Sequence, residues 1–135
     1  MVRLSELVRD HVVVLYFYPK DETPGCTAEA RAFRDQYDVF QDAGAQVVGV
    51  SSDSVARHKS FADHHELRFI LLADREKKVR KLYQVKDTVP FLVPGRETFV
   101  IDRQGVIRHH FASQIAATAH VDEALRMVKR LANEP

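Results

Sequence analysis

Three runs of strand-forming residues, separated by helical patterns, constrain the fold of this chain most strongly. Residues 12–18 (VVVLYFY) are β-branched and aromatic and apolar on both faces, which is typical of a central strand covered on both sides. Residues 45–52 (AQVVGVSS) predict a second buried strand and residues 68–73 (RFILLA) a third. Residues 98–102 and 106–112 predict a hairpin across the turn RQG.

Apolar side chains recur in steps of three and four residues after the first strand, which predicts one buried helical face. They are Cys26, Ala30, Phe33, Tyr37 and Phe40. Gly44 is predicted to end this helix. A second helix follows a cap at Ser52, Asp53 or Ser54, and Asp74 is predicted to cap a short third helix.

The segment 84–96 has two prolines and a glycine and predicts a functional loop, and residues 119–132 predict a closing helix. Its apolar stripe is Val121, Leu125, Val128 and Leu131. The alternating order predicts an α/β chain with a thioredoxin-like fold, a central mixed β-sheet flanked by helices. With 135 residues, we expect a single domain spanning residues 1–135.

Composition excludes several classes of function. The net charge is +1 and charges of both signs are interspersed, so we expect no nucleic-acid partner. No apolar run approaches the roughly 20 residues of a membrane span, and we expect neither a membrane partner nor a cleaved secretion leader. The single cysteine cannot form an internal disulfide. A chain without a disulfide framework favours a reducing compartment, and we expect the cytoplasm.

That cysteine, Cys26, lies in the predicted first turn of a helix, after a turn that contains Pro19, Pro24 and Gly25. The amide groups and dipole of a helix start favour thiolate over thiol. They supply about 0.3–1 kcal/mol, and at best roughly 2, whereas lowering a thiol pKa by two units needs about 2.7 kcal/mol. We therefore expect a second positive group, an arginine from elsewhere in the fold.

The segment FYPKDETPGCT resembles the active-site segment of peroxiredoxins, with their Pro-x-x-x-Thr-x-x-Cys signature as Pro19, Thr23 and Cys26. The resemblance is greatest to the Q type, also called bacterioferritin comigratory proteins. The segment VPGRETFVID resembles the second family block and carries the family's catalytic arginine onto Arg96. The segment FASQIAATAHVDEAL is similar to the Q-type ending, and the similarity runs from about residue 4 to 131.

The resemblance implies an antioxidant thiol peroxidase that acts on hydrogen peroxide or organic hydroperoxides and needs no metal and no bound cofactor. Cys26 would become a sulfenic acid, while Thr23 and Arg96 bind the peroxide oxygens. Pro19 would shield the thiolate and shape the pocket. Gly25 permits close backbone approach, and Glu29 would hold part of the site network.

Many Q-type members have a second cysteine at the position of Arg31 here. The expected mechanism is therefore a one-cysteine mechanism. An external thiol such as thioredoxin, glutaredoxin or a low-molecular-weight thiol would reduce the sulfenic acid. The expected assembly is a monomer or weak dimer.

Other interpretations stay open at this point. Cys26 could be a buried inert thiol or a peroxide sensor without efficient turnover. A thioredoxin-like oxidoreductase is disfavoured, because the chain has no Cys-x-x-Cys. Thr23 could serve only the turn and Glu29 only the helix start. The pairs His64–His65 and His109–His110 are interpreted as solvated surface, because adjacent side chains on a helix or strand diverge.

Overall fold

The computed structural model describes residues 3–85, 96–113 and 118–134, and within them it contains a five-stranded sheet. The strands are β1 (Val12–Phe17), β2 (Ala45–Ser51), β3 (Ile70–Ala73), β4 (Glu97–Ile101) and β5 (Ile107–Ala112). Their order in the sheet is β3-β2-β1-β4-β5. The pairs β1–β2 and β2–β3 are parallel, whereas β4 runs antiparallel to both β1 and β5. The predicted mixed sheet of a thioredoxin-like fold is confirmed.

Six helices are found in the same residues. They are α1 (Leu4–Asp10), α2 (Pro24–Asp35), α3 (Tyr37–Asp42), α4 (Val55–His65), α5 (Lys78–Leu82) and α6 (Ala119–Ala132). Helix α1 was not predicted. The single helix predicted up to Phe40 is wrong, because Gln36 leaves helical geometry (φ −101°, ψ 6°) and separates α2 from α3. Both pieces still direct apolar side chains into one core.

The predicted caps and turns are largely confirmed. The Ser54 hydroxyl accepts a hydrogen bond from the Arg57 amide at 3.2 Å and caps α4. Both carboxylate oxygens of Asp74 accept amide hydrogen bonds from the first turn of α5, although Lys77 occupies the N-cap position. Gly44 has a φ of +82° after α3, a left-handed conformation that favours glycine. The predicted loop lies mostly outside the described residues, from residue 86 to 95.

The two faces of the sheet pack against different helices. One face carries Val13, Leu15, Phe17 and Val50, with α1 and α5 packed against it. The other face packs against α2, α3, α4 and α6. Its buried cluster includes Cys26 together with side chains such as Tyr16, Phe33, Phe61 and Val128. Because β1 is central, its residues are buried on both faces, as the sequence predicts.

The antiparallel pairing of β1 with β4 positions the candidate site. Phe17, the last residue of β1, pairs with Glu97, the first residue of β4. The turn that leads to Cys26 begins directly after β1, and Arg96 directly precedes β4. Residues separated by 70 positions in the chain therefore meet where these two inner strands adjoin, at one end of the pair.

None of the helices in the described segments has both the length and the apolar character that crossing a membrane requires.

Candidate active site

Cys26 lies in the first turn of α2, as predicted, with its side chain almost fully buried (1% exposed). Pro24 occupies the first position of this helix, where its missing N–H costs nothing. The first intrahelical bond joins the Thr27 amide to the Thr23 carbonyl at 2.8 Å. The amides of Gly25 and Cys26 precede that bond, so the helix itself does not use them. They are available to an anion or to a polar ligand beside the thiol.

Arg96 lies where we expected a second positive group, in addition to the helix start, to stabilise the Cys26 thiolate. Its Nη2 donates to the Cys26 Sγ at 3.4 Å, and its Nη1 donates to the Glu29 Oε1 at 2.5 Å. The guanidinium is itself buried. Burial opposes its charge, but Glu29 and Cys26 outweigh that effect and raise the pKa of Arg96. The side chain thus offers a permanent positive charge within hydrogen-bond reach of the sulfur.

Glu29 faces the same side of α2 as Cys26, because three residues separate the two positions. Its side chain is fully buried, and its Oε2 accepts no hydrogen bond from the described residues. Burial raises the pKa of Glu29 to about 8, and the charge and hydrogen bond of Arg96 offset only part of that increase. Near neutral pH a large share of Glu29 is therefore protonated, which leaves more of the Arg96 charge for the sulfur.

His120, the second residue of α6, closes the buried side of this network. Its Nε2 lies 2.8 Å from the Ser113 carbonyl oxygen and its Nδ1 lies 2.6 Å from the Thr98 hydroxyl. Because a carbonyl only accepts, Nε2 carries the proton. Burial, together with the charge of Arg96, lowers the pKa of His120 to about 4. The ring is neutral at pH 7, with Nδ1 accepting from Thr98 and lying 3.8 Å from the Glu29 Oε2.

The turn before Cys26 is held by a buried ion pair. The Asp21 carboxylate accepts from the Tyr18 hydroxyl at 2.6 Å and lies 2.7 Å from the His58 Nδ1. The other ring nitrogen of His58 lies 2.9 Å from the Leu72 carbonyl. Both nitrogens face acceptors, so both carry protons and the ring is positive. Burial alone would lower the pKa of His58, but Asp21 outweighs it and the pKa is raised.

Asp53 fixes the same turn from its other side. Its Oδ2 accepts from the Asp21 amide at 2.8 Å and from the Ser51 hydroxyl at 2.7 Å. Its Oδ1 accepts from Arg57 in α4 at 3.0 Å. The turn is thus anchored to the end of β2 and the start of α4, which positions the beginning of α2.

The remaining predicted residues, Thr23, Gly25 and Pro19, lie in the turn before Cys26 or at the start of α2. Thr23 occupies the N-cap position of α2 without a side-chain cap bond, and its hydroxyl donates to the Lys20 carbonyl at 2.9 Å. That bond orients the oxygen while leaving it free to accept. A Cβ at Gly25 would lie 3.0 Å from the Arg96 Nη2, so the glycine leaves room for the guanidinium beside the sulfur. Pro19 is half-buried at the start of the turn. The catalytic roles of these residues stay predictions.

The histidine pairs behave differently from each other. On β5, His109 contacts Glu123 and His110 contacts Glu97, on opposite faces as expected. The expectation that His64 and His65 diverge was wrong, because their ring centroids are 4.1 Å apart and both rings contact Glu22. They occupy the last turn of α4, where the chain is about to leave the helix at a left-handed Glu66.

Two groups in the described residues have the composition of a metal site. The first group is Asp21, Asp53 and His58. Both ring nitrogens of His58 face acceptors and carry protons, so the ring has no lone pair to offer a metal ion. The second is Glu22, His64 and His65, at the outer side of the turn. Neither group includes Cys26, and the sulfur chemistry described above uses neither.

Sequence reasoning missed His120, Thr98, Asp21 and His58. Thr98 lies in the quoted segment VPGRETFVID, and His120 lies within the segment similar to the Q-type ending. A histidine at a helix start beside an apolar stripe was the available signal for His120. Asp21 and His58 are 37 residues apart and carried no local signal.

Comparison with known proteins identifies the family of the chain. Residues 1–110 match the model of the AhpC/TSA family. The chain is 49% identical over 119 residues to the chloroplastic peroxiredoxin Q of Sedum lineare, covering 88% of this chain and 64% of that relative. It is 46% identical over 119 residues to the chloroplastic peroxiredoxin Q of Triticum aestivum, covering 88% and 55%. The chain thus spans between about half and two thirds of the length of these curated relatives.

Two solved structures share the fold of this chain. Peroxidoxin BcpB from Mycobacterium tuberculosis superposes with a TM-score of 0.89 at 36% identity, over 96% of this chain and 86% of that one. A mutant of PrxQ from Xylella fastidiosa superposes with a TM-score of 0.89 at 32% identity, over 98% and 84%. The chain belongs to the AhpC/TSA family, in its peroxiredoxin Q group.

Proposed function

We propose that the protein is a one-cysteine thiol peroxidase that reduces hydrogen peroxide and organic hydroperoxides. The observation that carries the proposal is the contact of the Arg96 guanidinium with the Cys26 sulfur at 3.4 Å, at a helix start where two amides have no partner within the described residues. A thiolate, a fixed cation and amide donors that the helix does not use, together in a buried site, favour attack on a polar, uncharged O–O bond.

In the proposed reaction, the Cys26 sulfur gives two electrons to the peroxide. The Cys26 thiolate attacks one peroxide oxygen, the S–O bond forms as the O–O bond breaks, and the distal oxygen leaves with the electron pair. That oxygen takes a proton and departs as water or an alcohol. The sulfur, oxidised by two electrons, is left as a sulfenic acid. Arg96 and the two amides would donate to the oxygens on which charge develops, and the Thr23 hydroxyl, whose own proton goes to the Lys20 carbonyl, would accept from the O–H of the hydroperoxide.

An external thiol would complete the cycle. Its thiolate attacks the sulfenic sulfur, which releases water and forms a mixed disulfide, and a second thiol then restores Cys26. The supporting observation is that the chain has one cysteine, so no internal partner exists. Because Cys26 is 1% exposed, we expect the first turn of α2 to open before thioredoxin, glutaredoxin or a small thiol reaches the sulfur.

The proposed compartment is the cytoplasm and the proposed assembly a monomer or weak dimer. A single cysteine suits any reducing compartment. The plant relatives are chloroplastic by name, so a plastid stroma is the competing location. Sedimentation at micromolar protein would show a tight dimer if the proposed assembly is wrong.

The test is the rate at which Cys26 is oxidised. Reduced protein receives one equivalent of hydrogen peroxide in the presence of a sulfenic-acid trap, and intact mass is followed with time. We expect labelling within seconds, slower labelling in Thr23→Val and Arg96→Lys, and none in Cys26→Ser. Labelling no faster than that of free cysteine would contradict a peroxidase.

Turnover separates the enzyme from a sensor. Peroxide consumption is measured with a thioredoxin system, a glutaredoxin system and glutathione alone, each at the same protein concentration. We expect repeated turnover with at least one of them. Fast labelling of Cys26 without turnover in any would favour a peroxide-sensing module.

A further inference from the structure

Glu22, His64 and His65 form a cluster that the peroxidase chemistry does not use; we call it the outer triad. Glu22 lies in the turn between β1 and α2, immediately before Thr23, and His64 and His65 are the last residues of α4. The His64 Nδ1 lies 3.0 Å from the Glu22 Oε2, and the His65 Nε2 lies 2.7 Å from the Glu22 Oε1. One carboxylate therefore faces two imidazoles across two elements.

The donor set is that of a zinc ion. Two imidazole nitrogens and one carboxylate, with a fourth position for water, are ligands that Zn²⁺ takes at about 2.0–2.2 Å. Three such ligands around one ion lie roughly 3.4 Å apart in a tetrahedron. The three ligand atoms of the outer triad all lie within 4.8 Å of one another. Widening the two carboxylate–imidazole contacts from 3.0 and 2.7 Å to about 3.4 Å, with the two ring nitrogens brought to the same separation, would admit the ion.

Of the three side chains, His65 is held in place, whereas His64 and Glu22 can adjust. The His65 side chain is 13% exposed, its ring packs edge-on against Phe61, and Arg34 donates to its carbonyl at 2.8 Å. The side chains of His64 and Glu22 are 64% and 44% exposed. A fixed ligand with two adjustable ones is suited to capture an ion from solvent.

We propose that Glu22, His64 and His65 bind one Zn²⁺ ion and thereby clamp the turn before Cys26 to the end of α4. This inference goes beyond the proposed peroxidase function and holds whether or not Cys26 turns over. On binding, the His64 Nδ1 and the His65 Nε2 each present a lone pair, and the proton of each ring resides on its other nitrogen or is released to solvent.

The clamp acts on the active-site turn. Glu22 has a left-handed backbone conformation with a φ of 66°, and it adjoins Asp21, which the buried His58 of α4 already holds. A zinc ion would replace the direct contacts of Glu22 with His64 and His65 by metal–ligand bonds, which hold the same turn to the same helix more strongly. The turn would then open less readily in the metal-bound protein.

The experiment measures zinc binding in the Cys26→Ser protein, so that the thiol neither binds metal nor enters the result. Zinc chloride is titrated into the full chain by calorimetry at pH 7.5. We expect one equivalent to bind, and affinity at least tenfold weaker in Glu22→Gln and in His64→Gln. The matched control is His109→Gln, whose ring makes a similar 2.9 Å contact with Glu123, and its affinity should be unchanged.

A second measurement reports on the clamp. Hydrogen exchange of the amides at residues 20–23 should slow at least threefold on adding zinc to Cys26→Ser, and stay unchanged when His64→Gln is combined with it. Absence of binding, or equal binding in all the variants, would overturn the site. Triad-dependent binding that leaves exchange in the turn unaltered would overturn the clamp.

Discussion

Arg96 contacts Cys26 and Glu29 at once, so at the residue scale the chemistry depends on how its charge is shared. A carboxylate at 2.5 Å would hold much of that charge. Burial raises the pKa of Glu29 to about 8, which weakens the electrostatic attraction between Glu29 and the guanidinium near neutral pH. The neutral His120 behind it adds no competing charge.

Replacing Arg96 by lysine should slow oxidation of Cys26 by hydrogen peroxide by about 100-fold or more, the typical loss for a donor to developing charge. Lysine keeps the charge but loses the planar fork that reaches both the sulfur and Glu29. Stopped-flow measurement of the second-order rate constant is the check. Arg126→Lys, at an exposed position of α6, is the control, and equal losses in both variants would contradict the role of Arg96.

The pKa of Glu29 predicts a dependence of stability on pH. A carboxyl that holds its proton more tightly in the folded state contributes stability below its unfolded pKa, and loses it as pH rises towards about 8. The slope approaches about 1.4 kcal/mol per pH unit for one proton. We therefore expect Glu29→Gln to become more stable relative to the unsubstituted protein between pH 5 and pH 8.

Urea unfolding of both proteins at several pH values measures this difference. Other titrating groups cancel in the comparison, because they are common to both proteins. A difference in unfolding free energy that stays constant with pH would show that Glu29 does not change protonation in this range.

At the scale of elements, the decisive unit is the turn that joins β1 to α2. It is anchored by Asp21 to His58 of α4 and by Asp53 to the end of β2. The turn carries Thr23 and leads into the first turn of α2, where the helix does not use the amides of Gly25 and Cys26. Its position therefore sets the geometry around the sulfur. These anchors come from β2 and α4, outside the helix that carries Cys26.

His58→Gln should destabilise the protein by up to about 3–5 kcal/mol at pH 6, the usual cost of breaking a buried ion pair. Because the pKa of His58 is raised in the folded state, the pair contributes fully below the unfolded pKa. That contribution is lost as pH rises through the folded value. The deficit of the variant should therefore shrink at pH 9.

Chemical unfolding of the variant and the unsubstituted protein at pH 6 and pH 9 is the measurement. His109→Gln serves as the exposed comparison. A deficit in His58→Gln that grows with pH would mean that His58 is neutral in the folded protein.

At the scale of the whole molecule, one buried cluster connects the site to the fold. Phe33 of α2 stacks on Tyr16 of β1 with ring centroids 4.5 Å apart and also contacts Phe40 and Phe69. Cys26 belongs to the same cluster, as does Val128 of α6. Packing of this cluster keeps α2 and α6 together, and with them Cys26 and His120.

Phe33→Ala should cost about 3–5 kcal/mol of unfolding free energy, since it removes a fully buried ring and leaves a cavity. Val55→Ala, at a position that is 73% exposed, should change stability by less than about 0.5 kcal/mol. Denaturant unfolding gives both values. A loss below about 1 kcal/mol in Phe33→Ala would show that the cluster repacks around the gap.

The amino-acid sequence by itself determined most of the elements and the identity of the reacting group. Local periodicity predicts strands such as residues 12–18 and 45–52 and the helix at Cys26. The spacing of apolar residues along each element depends on whether one of its faces or both are buried. Capping and turn residues such as Ser54, Asp74 and Gly44 act on their immediate neighbours. The motif around Cys26, together with the segment around Arg96, was sufficient to predict the family.

Only the tertiary structure decided which distant groups meet. The antiparallel pairing of β1 and β4 brings Arg96 to Cys26, and packing of α6 brings His120 to Glu29. The protonation of Glu29 and His120 depends on burial among side chains remote in sequence. Likewise the turn before Cys26 is held by His58, and the outer triad joins Glu22 to the end of α4. Local propensity acts over a few residues, whereas desolvation and charge act through space, so these features appear only once the chain is folded.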